Sequence, residues 1–197
     1  MFLGAEAYHF YLLSQRHMYQ GYWDLAMKAA LHLQNYKEFL STEQIYSLIA
    51  LTSYSNKCFD VCSKAFIKLE AIGDRESESN VWTKISENCN EQFWQESVKH
   101  QNRIRYEELA VSIFLSNPPS ENKQDLVVKI DCKFCGTKIP DYSVDCYKCH
   151  TKFLSCVASG KPIMDPRQQW ACKQCGHNAI KTEISSYSNC PLCHYKI

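Results

Sequence analysis

Eight cysteines near the end of this chain constrain its folding more than any other feature. They stand in four C-x-x-C pairs: Cys132 and Cys135, Cys146 and Cys149, Cys172 and Cys175, Cys190 and Cys193. Ten residues separate the first two pairs and fourteen the last two. Each half therefore reads C-x2-C-x(10 to 14)-C-x2-C, the spacing of a four-thiolate tetrahedral zinc site. Two residues between thiolates let one tight turn offer both sulfurs to one ion. The reading is two structural Zn2+ ions: Cys132, Cys135, Cys146 and Cys149 on the first, and Cys172, Cys175, Cys190 and Cys193 on the second. A disulfide framework is the competing explanation, and no other feature of the sequence suggests secretion.

Charge supports the metal reading. Residues 129–197 carry 10 basic and 5 acidic side chains, whereas residues 1–128 carry 12 and 16. Eight thiolates and two dications would bring the second figure from +5 to about +1. The excess of lysine thus offsets the metal sites and is not read as a nucleic-acid footprint. The first residues lack the basic leader and small-residue cleavage site of a signal peptide. No apolar run reaches the ~18 residues of a membrane span, so no membrane insertion is expected.

Residues 4–116 read as helices. Proline is absent there, and glycine appears only at Gly4, Gly21 and Gly73, taken as helix starts or stops. Phe10, Leu13, Ser14, Ala26, Ala30 and Leu33 recur 36 residues later as Tyr46, Ile49, Ala50, Cys62, Phe66 and Leu69. That period resembles the tetratricopeptide repeat, with a small residue where paired helices cross. An ordinary helical bundle is the alternative. A polar insertion at about 73–93 breaks the period, which resumes at Trp94, Val98, Ala110 and Phe114 as a third helical pair. Residues 2–13 are apolar and enter mid-pattern. The chain is therefore read as a piece of a longer solenoid, or as one whose first face a partner covers. Tyr8, Phe10, Tyr11, Tyr19, Tyr22 and Trp23 are expected to be mostly core, with a partner groove as the sharper alternative. Cys58, Cys62 and Cys89 are read as buried small apolar residues. His9, His17, His32 and His100 have no companion at metal-ligand spacing and are assigned no chemistry.

Asn117-Pro118-Pro119 ends the helical part, and residues 117–130 are the linker. Leu126 to Ile130 reads as a strand entering the first site. Residues 131–197 form a double zinc-ribbon-like β module. Ile139 and Phe153 are expected to support the first metal, and Ile184 and Ile197 the second. Between the sites, L-S-C-V-A-S-G-K-P-I is read as strand, turn and strand, with Gly160-Lys161 as the turn. Gly136 and Gly176 follow the second cysteine of their turns, where a positive φ aims backbone N–H groups at sulfur. His150, His177 and His194 are read as turn residues and Cys156 as a packed thiol, with substitution of any of them for a cysteine left open. The fold class is thus mainly α: a TPR-like α-solenoid segment followed by a small β module with two four-cysteine zinc sites.

Four neutralising thiolates leave zinc no open position for water, so these sites are not expected to hydrolyse a substrate. The sequence has no phosphate loop, G-x-S-x-G or H-E-x-x-H. Two alternatives carry specific features. A RING-like ubiquitin ligase would use eight cysteines, but the 22 residues between Cys149 and Cys172 are too many for its cross-brace. A nucleic-acid-binding ribbon would use Lys133, Lys138, Lys148, Lys152 and Lys173 interleaved with Phe134, Tyr147 and Phe153.

Four stretches resemble a known family: C-S-K-A-F-I-K-L-E (62–70), Y-E-E-L-A-V-S-I-F (106–114), C-V-A-S-G-K-P-I (156–163) and E-I-S-S-Y-S-N-C-P-L-C-H (183–194). They are similar to the C-terminal end of intraflagellar transport protein 121, a WD-repeat subunit of intraflagellar transport complex A. The likeness covers most of residues 1–72 and 103–197 and leaves out the polar insertion. It implies a helical-repeat arm and a terminal zinc module in a non-enzymatic scaffold of ciliary retrograde transport and cilium assembly. The implied partners are the other subunits of the complex, with no small-molecule substrate. The implied location is the cytoplasm and the cilium, at basal body and axoneme. Carried over residue by residue, the metal ligands are the same eight cysteines.

Overall fold

The computed structural model of this protein describes residues 3–83, 111–113, 115–116 and 128–197. Four helices come first: α1 (Leu3–Tyr19), α2 (Trp23–His32), α3 (Thr42–Ser55) and α4 (Phe59–Thr83). Each packs on the next as an antiparallel neighbour, so the sequence forms two successive helical pairs.

The 36-residue period is written in hydrogen bonds as well as in side chains. In the first pair Tyr22 N donates to His17 O at 2.9 Å, and Gly21 turns with φ 77°. In the second, Cys58 N donates to Ser53 O at 2.9 Å and Lys57 turns with φ 59°. Both are left-handed helix caps that satisfy carbonyls the helix end would orphan. The crossing points correspond too. Ser14 Oγ donates to Ala26 O at 2.8 Å, and Cys62 Sγ approaches Ala50 O at 3.6 Å. Small residues at 14, 26, 50 and 62 let backbones come that close. All twelve residues of the repeated pattern are buried. The second pair opens on a capping box: Ser41 Oγ accepts from Gln44 N at 3.1 Å, and Gln44 Oε1 accepts from Ser41 N at 3.2 Å.

Two expectations fail in the helical part. Gly73 does not end a helix, because α4 runs through it to Thr83. One glycine costs a helix interior only ~1 kcal/mol, which neighbours of good propensity overcome. The polar stretch therefore begins as a continuation of α4. The aromatic cluster is not mostly core: Phe10 is buried, Tyr11 and Trp23 are half-buried, and Tyr8, Tyr19 and Tyr22 are exposed. Tyr8, Leu12 and Tyr19 follow helical spacing along one exposed side of α1. Trp94, Val98, Ala110, Phe114, Cys89, His100 and residues 117–127 lie outside the described residues. Ile113 is helical and buried in the helical core.

The rest is three antiparallel hairpins. They are β1 (Lys129–Asp131) with β2 (Lys138–Pro140), β3 (Leu154–Ser155) with β4 (Pro162–Ile163), and β5 (Gln169–Ala171) with β6 (Asn178–Ile180). Ile130 pairs with Ile139 and Trp170 with Ala179. Among the described residues the first strand starts at Lys129; the expected start at Leu126 lies outside them. A one-turn helix, α5 (Lys181–Ile184), follows β6. The middle hairpin turns through Val157-Ala158-Ser159, earlier than the expected Gly160-Lys161, because Gly160 N bonds Cys156 O and Cys156 N bonds Lys161 O.

The largest buried cluster does not stop at the helices. It runs from α1–α4 into Cys156, Val157, Ala158, Ile163, Ala179 and Ile184. A separate small cluster holds Cys132, Ile139, Cys146 and Phe153. No helix among the described residues is long and apolar enough to cross a membrane.

Candidate metal centres

Each C-x-x-C pair lies on a tight turn at a hairpin end. The first cysteine accepts a backbone hydrogen bond from the residue four on: Gly136 N to Cys132 O at 2.8 Å, His150 N to Cys146 O at 2.7 Å, Gly176 N to Cys172 O and His194 N to Cys190 O at 2.9 Å. Those donors all have positive φ, between 55° and 73°. Two are histidines in the conformation that glycine adopts freely, so their place in the turn is conformational. Neither they nor His177 enter the cysteine clusters.

The turns face each other in sequential pairs. Sγ atoms of Cys132, Cys135, Cys146 and Cys149 lie within 4.8 Å of one another, as do those of Cys172, Cys175, Cys190 and Cys193. Cys132 and Cys149 sulfurs lie 3.8 Å apart, and those of Cys135 and Cys146 3.6 Å. The second set gives 3.6 Å for Cys172–Cys193 and 3.8 Å for Cys175–Cys190. Four sulfurs at about 2.3 Å from one zinc, tetrahedrally arranged, would lie about 3.8 Å apart. The cages therefore fit the ion, and they are too open for disulfides, whose sulfurs sit about 2 Å apart.

Electrostatics point the same way. Cys135 Sγ lies 3.4 Å from Thr137 Oγ1, and hydrogen bonds from Thr137 pull its thiol down to about 6. Cys149 Sγ lies 3.2 Å from Thr151 Oγ1, and its thiol is lowered by the same kind of bond. In the second cage burial pushes Cys175 up to about 12, while Cys172 falls to about 7. Four thiols in one cage cannot all ionise unaided, because each thiolate repels the next; a dication removes that conflict.

Ile139 is fully buried and Phe153 nearly so beside the first cage. Beside the second, Ile184 is buried as expected, but Ile197 is 47% exposed. Ala179 on β6 is fully buried, in the cluster shared with the helices. The sequential grouping also rules out a cross-brace, in which the first pair would join the third. With Phe153 buried, the aromatic series of a base-stacking ribbon loses a member. Cys156 is fully buried outside both cages, and its Sγ accepts from Ile180 N at 3.2 Å.

Sequence reading gives no role to three histidines that the structure places against residues 155–159. His9 Nε2 is 2.7 Å from Val157 O, and His32 Nδ1 is 2.8 Å from Ser155 Oγ. His17 is buried, with the Ser159 backbone and the Glu183 carboxylate among the groups that act on its ring. Burial lowers the pKa of all three, that of His32 to about 4. His177 Nε2 meets Glu6 Oε2 at 3.2 Å, and Arg16 Nη2 donates to Tyr187 Oη at 3.1 Å. A groove lined by Leu12, Leu13, Arg16, Val157, Pro191 and His194 runs beside this contact. The first module is tied separately: Lys28 Nζ, nearly buried, reaches Asp141 Oδ2 at 2.6 Å and Asp24 Oδ2 at 2.7 Å. The helix-to-module partners lie more than a hundred residues apart, so local spacing carries no signal for them.

Comparison with known proteins agrees with this architecture. Residues 1–92 match the family model described as "IFT121-like, TPR repeats". Residues 154–197 match the one described as "IFT121, second zinc finger domain", which joins the β3–β4 hairpin to the second cage. The chain is 35% identical over 194 residues to WD repeat-containing protein 35 of Rattus norvegicus and of Mus musculus. It is 35% identical over 191 residues to that of Homo sapiens. These alignments cover 97–98% of this chain and 13% of each relative, so the chain spans about an eighth of their length. The chain belongs to the family of intraflagellar transport protein 121, whose tetratricopeptide-repeat and second zinc-finger segments it carries.

Proposed function

We propose that this chain is a non-enzymatic assembly segment of intraflagellar transport complex A. Cys132, Cys135, Cys146 and Cys149 ligate one structural zinc, and Cys172, Cys175, Cys190 and Cys193 a second. Zinc bound there supplies folding free energy on the order of 10 kcal/mol per site to hairpins too small to fold alone. The observation that carries the reading is the saturation of both cages: four sulfurs each leave no position for a reacting water. The metals then serve to hold the hairpins rigid against the helical pairs. The helices offer Tyr8, Leu12, Tyr19 and Tyr22, all exposed, to a neighbouring subunit. Residues 1–116 are the interacting arm, 117–130 the linker and 131–197 the zinc module. The place of action is the cytoplasm and the cilium, in retrograde transport and cilium assembly.

Affinity purification of the tagged chain from ciliated cells tests this. Other subunits of the complex should remain bound, and Tyr8→Ser/Leu12→Ser should release them while the zinc content stays the same. Recovery of ubiquitin-conjugating enzymes, or of no complex subunit, would contradict it.

A further inference from the structure

Five turns in residues 129–197 share one backbone pattern, and only four belong to cysteine pairs. In each, the N–H of the first residue donates to the carbonyl five residues on. The N–H of the fifth residue donates back to the first. For Cys132 these bonds are 2.9 Å to Thr137 O and 2.8 Å from Gly136 N. For Cys156 they are 2.8 Å to Lys161 O and 2.8 Å from Gly160 N. Cys146, Cys172 and Cys190 repeat them. The fifth residue has positive φ in all five, 78° at Gly160. Where the four metal turns place their second cysteine, the fifth has Ser159.

Its surroundings differ as sharply as its sequence. The two residues between the cysteines face outward in the first three metal turns: Lys133 and Phe134, Tyr147 and Lys148, Lys173 and Gln174 are exposed. Residues 156–160 are all buried. On one side the turn is stitched to the second cage. Val157 N donates to Asn178 O at 2.9 Å, and Ile180 N donates to Cys156 Sγ at 3.2 Å. On the other it meets the helices. His9 holds Val157 O, and a Cβ placed on Gly160 would lie 2.7 Å from Ala29 Cβ and 2.8 Å from Ala29 Cα. Real side-chain carbons do not approach that closely, so Gly160 and Ala29 together set the distance between module and helices.

We propose that residues 156–160 are a metal-free fifth knuckle whose occupant is the α1–α2 helical pair of the same chain. Where the other turns close on an ion, this one plugs into the helices. β6, which carries the plug's partners Asn178 and Ile180, follows directly on the first turn of the second cage, so one short strand joins the plug to that cage. The inference does not depend on which complex the chain joins.

The test is hydrogen–deuterium exchange and native mass spectrometry on the whole 197-residue chain. Gly160→Ala adds the clashing carbon. Gly136→Ala adds the same carbon at a similar positive φ, with nothing within 4 Å of it. Gly160→Ala should keep two zinc ions and speed exchange of α1 and α2 amides by about tenfold or more, while Gly136→Ala leaves them within about twofold of the parent. His9→Phe, milder, removes only the bond to Val157 and should speed α1 exchange about threefold; it decides the matter if Gly160→Ala does not fold. Helical exchange unchanged in whichever of Gly160→Ala and His9→Phe folds, or a third zinc on the parent chain, would overturn the proposal.

Discussion

Acid should loosen the contact between helices and module, and His32 gives the magnitude. Its ring packs edge-on to Phe10 at 4.4 Å between centroids. Its Nδ1 faces Ser155 Oγ, and its Nε2 lies 3.0 Å from Tyr36 Oη. Both hydroxyls could still accept from a protonated ring, so the cost of protonation comes from burying charge. Burial holds the folded pKa at about 4, with the Glu6 carboxylate opposing weakly. The unfolded value is about 6.5. The neutral ring is therefore at no disadvantage above pH 6.5, and stability is lost as pH falls from there towards 4. Linkage makes the loss between pH 7.5 and 5.5 about 1.3 kcal/mol, from about 1.4 kcal/mol per pH unit. With a urea m-value of about 2 kcal/mol/M, the midpoint falls by about 0.6 M. His9 and His17, lowered mainly by burial, act in the same direction. The assay is urea unfolding by far-ultraviolet circular dichroism at both pH values in zinc-containing buffer, beside His32→Gln. Glutamine keeps a partner for Ser155 and does not titrate, so less than half of the shift should remain. An equal shift in His32→Gln, or a parent shift under about 0.2 M, would refute the burial argument.

Other outcomes follow from single contacts. Cys190→Ser should leave one zinc per chain by native mass spectrometry and unprotect β5 and β6 in exchange, with weaker recovery of complex subunits. Asp141→Asn should cost about 1.5 kcal/mol and Asp24→Asn, half-exposed, about 0.5 kcal/mol in urea unfolding. Together they should cost about 3–4 kcal/mol, because the Lys28 ammonium is then buried unpaired; a simply additive result would contradict this. Lys57→Gly should stabilise by about 0.5–1 kcal/mol and Gly21→Ala destabilise by about 1 kcal/mol, since both positions are left-handed caps; thermal unfolding reads both.

What the sequence shows, it shows through local spacing. Cysteines three apart lie on one turn, and residues 36 apart occupy equivalent places in two helical pairs, so the cages and the repeat are legible. Gly73 misleads because a glycine's modest helix penalty depends on its neighbours. Ile197 misleads because apolarity at a strand end does not say which way the residue faces. The exposed Tyr8, Tyr19 and Tyr22 illustrate the same ambiguity for aromatics on a helix. The plug at 156–160 carries a sequence signal, C-V-A-S-G beside C-K-F-C-G and C-K-Q-C-G, but its burial against Ala29 is a tertiary fact. So are the contacts of His9, His32 and Lys28, whose partners lie at sequence separations of 148, 123 and 113.

Zinc K-edge X-ray absorption on the purified chain, with metal quantified per chain, tests the central claim most directly. Closed structural cages predict two zinc ions per chain, each with four sulfurs at about 2.3 Å and no lighter ligand. A nitrogen or oxygen neighbour in the inner shell would open a position for chemistry and contradict the account, as would a chain that folds without metal.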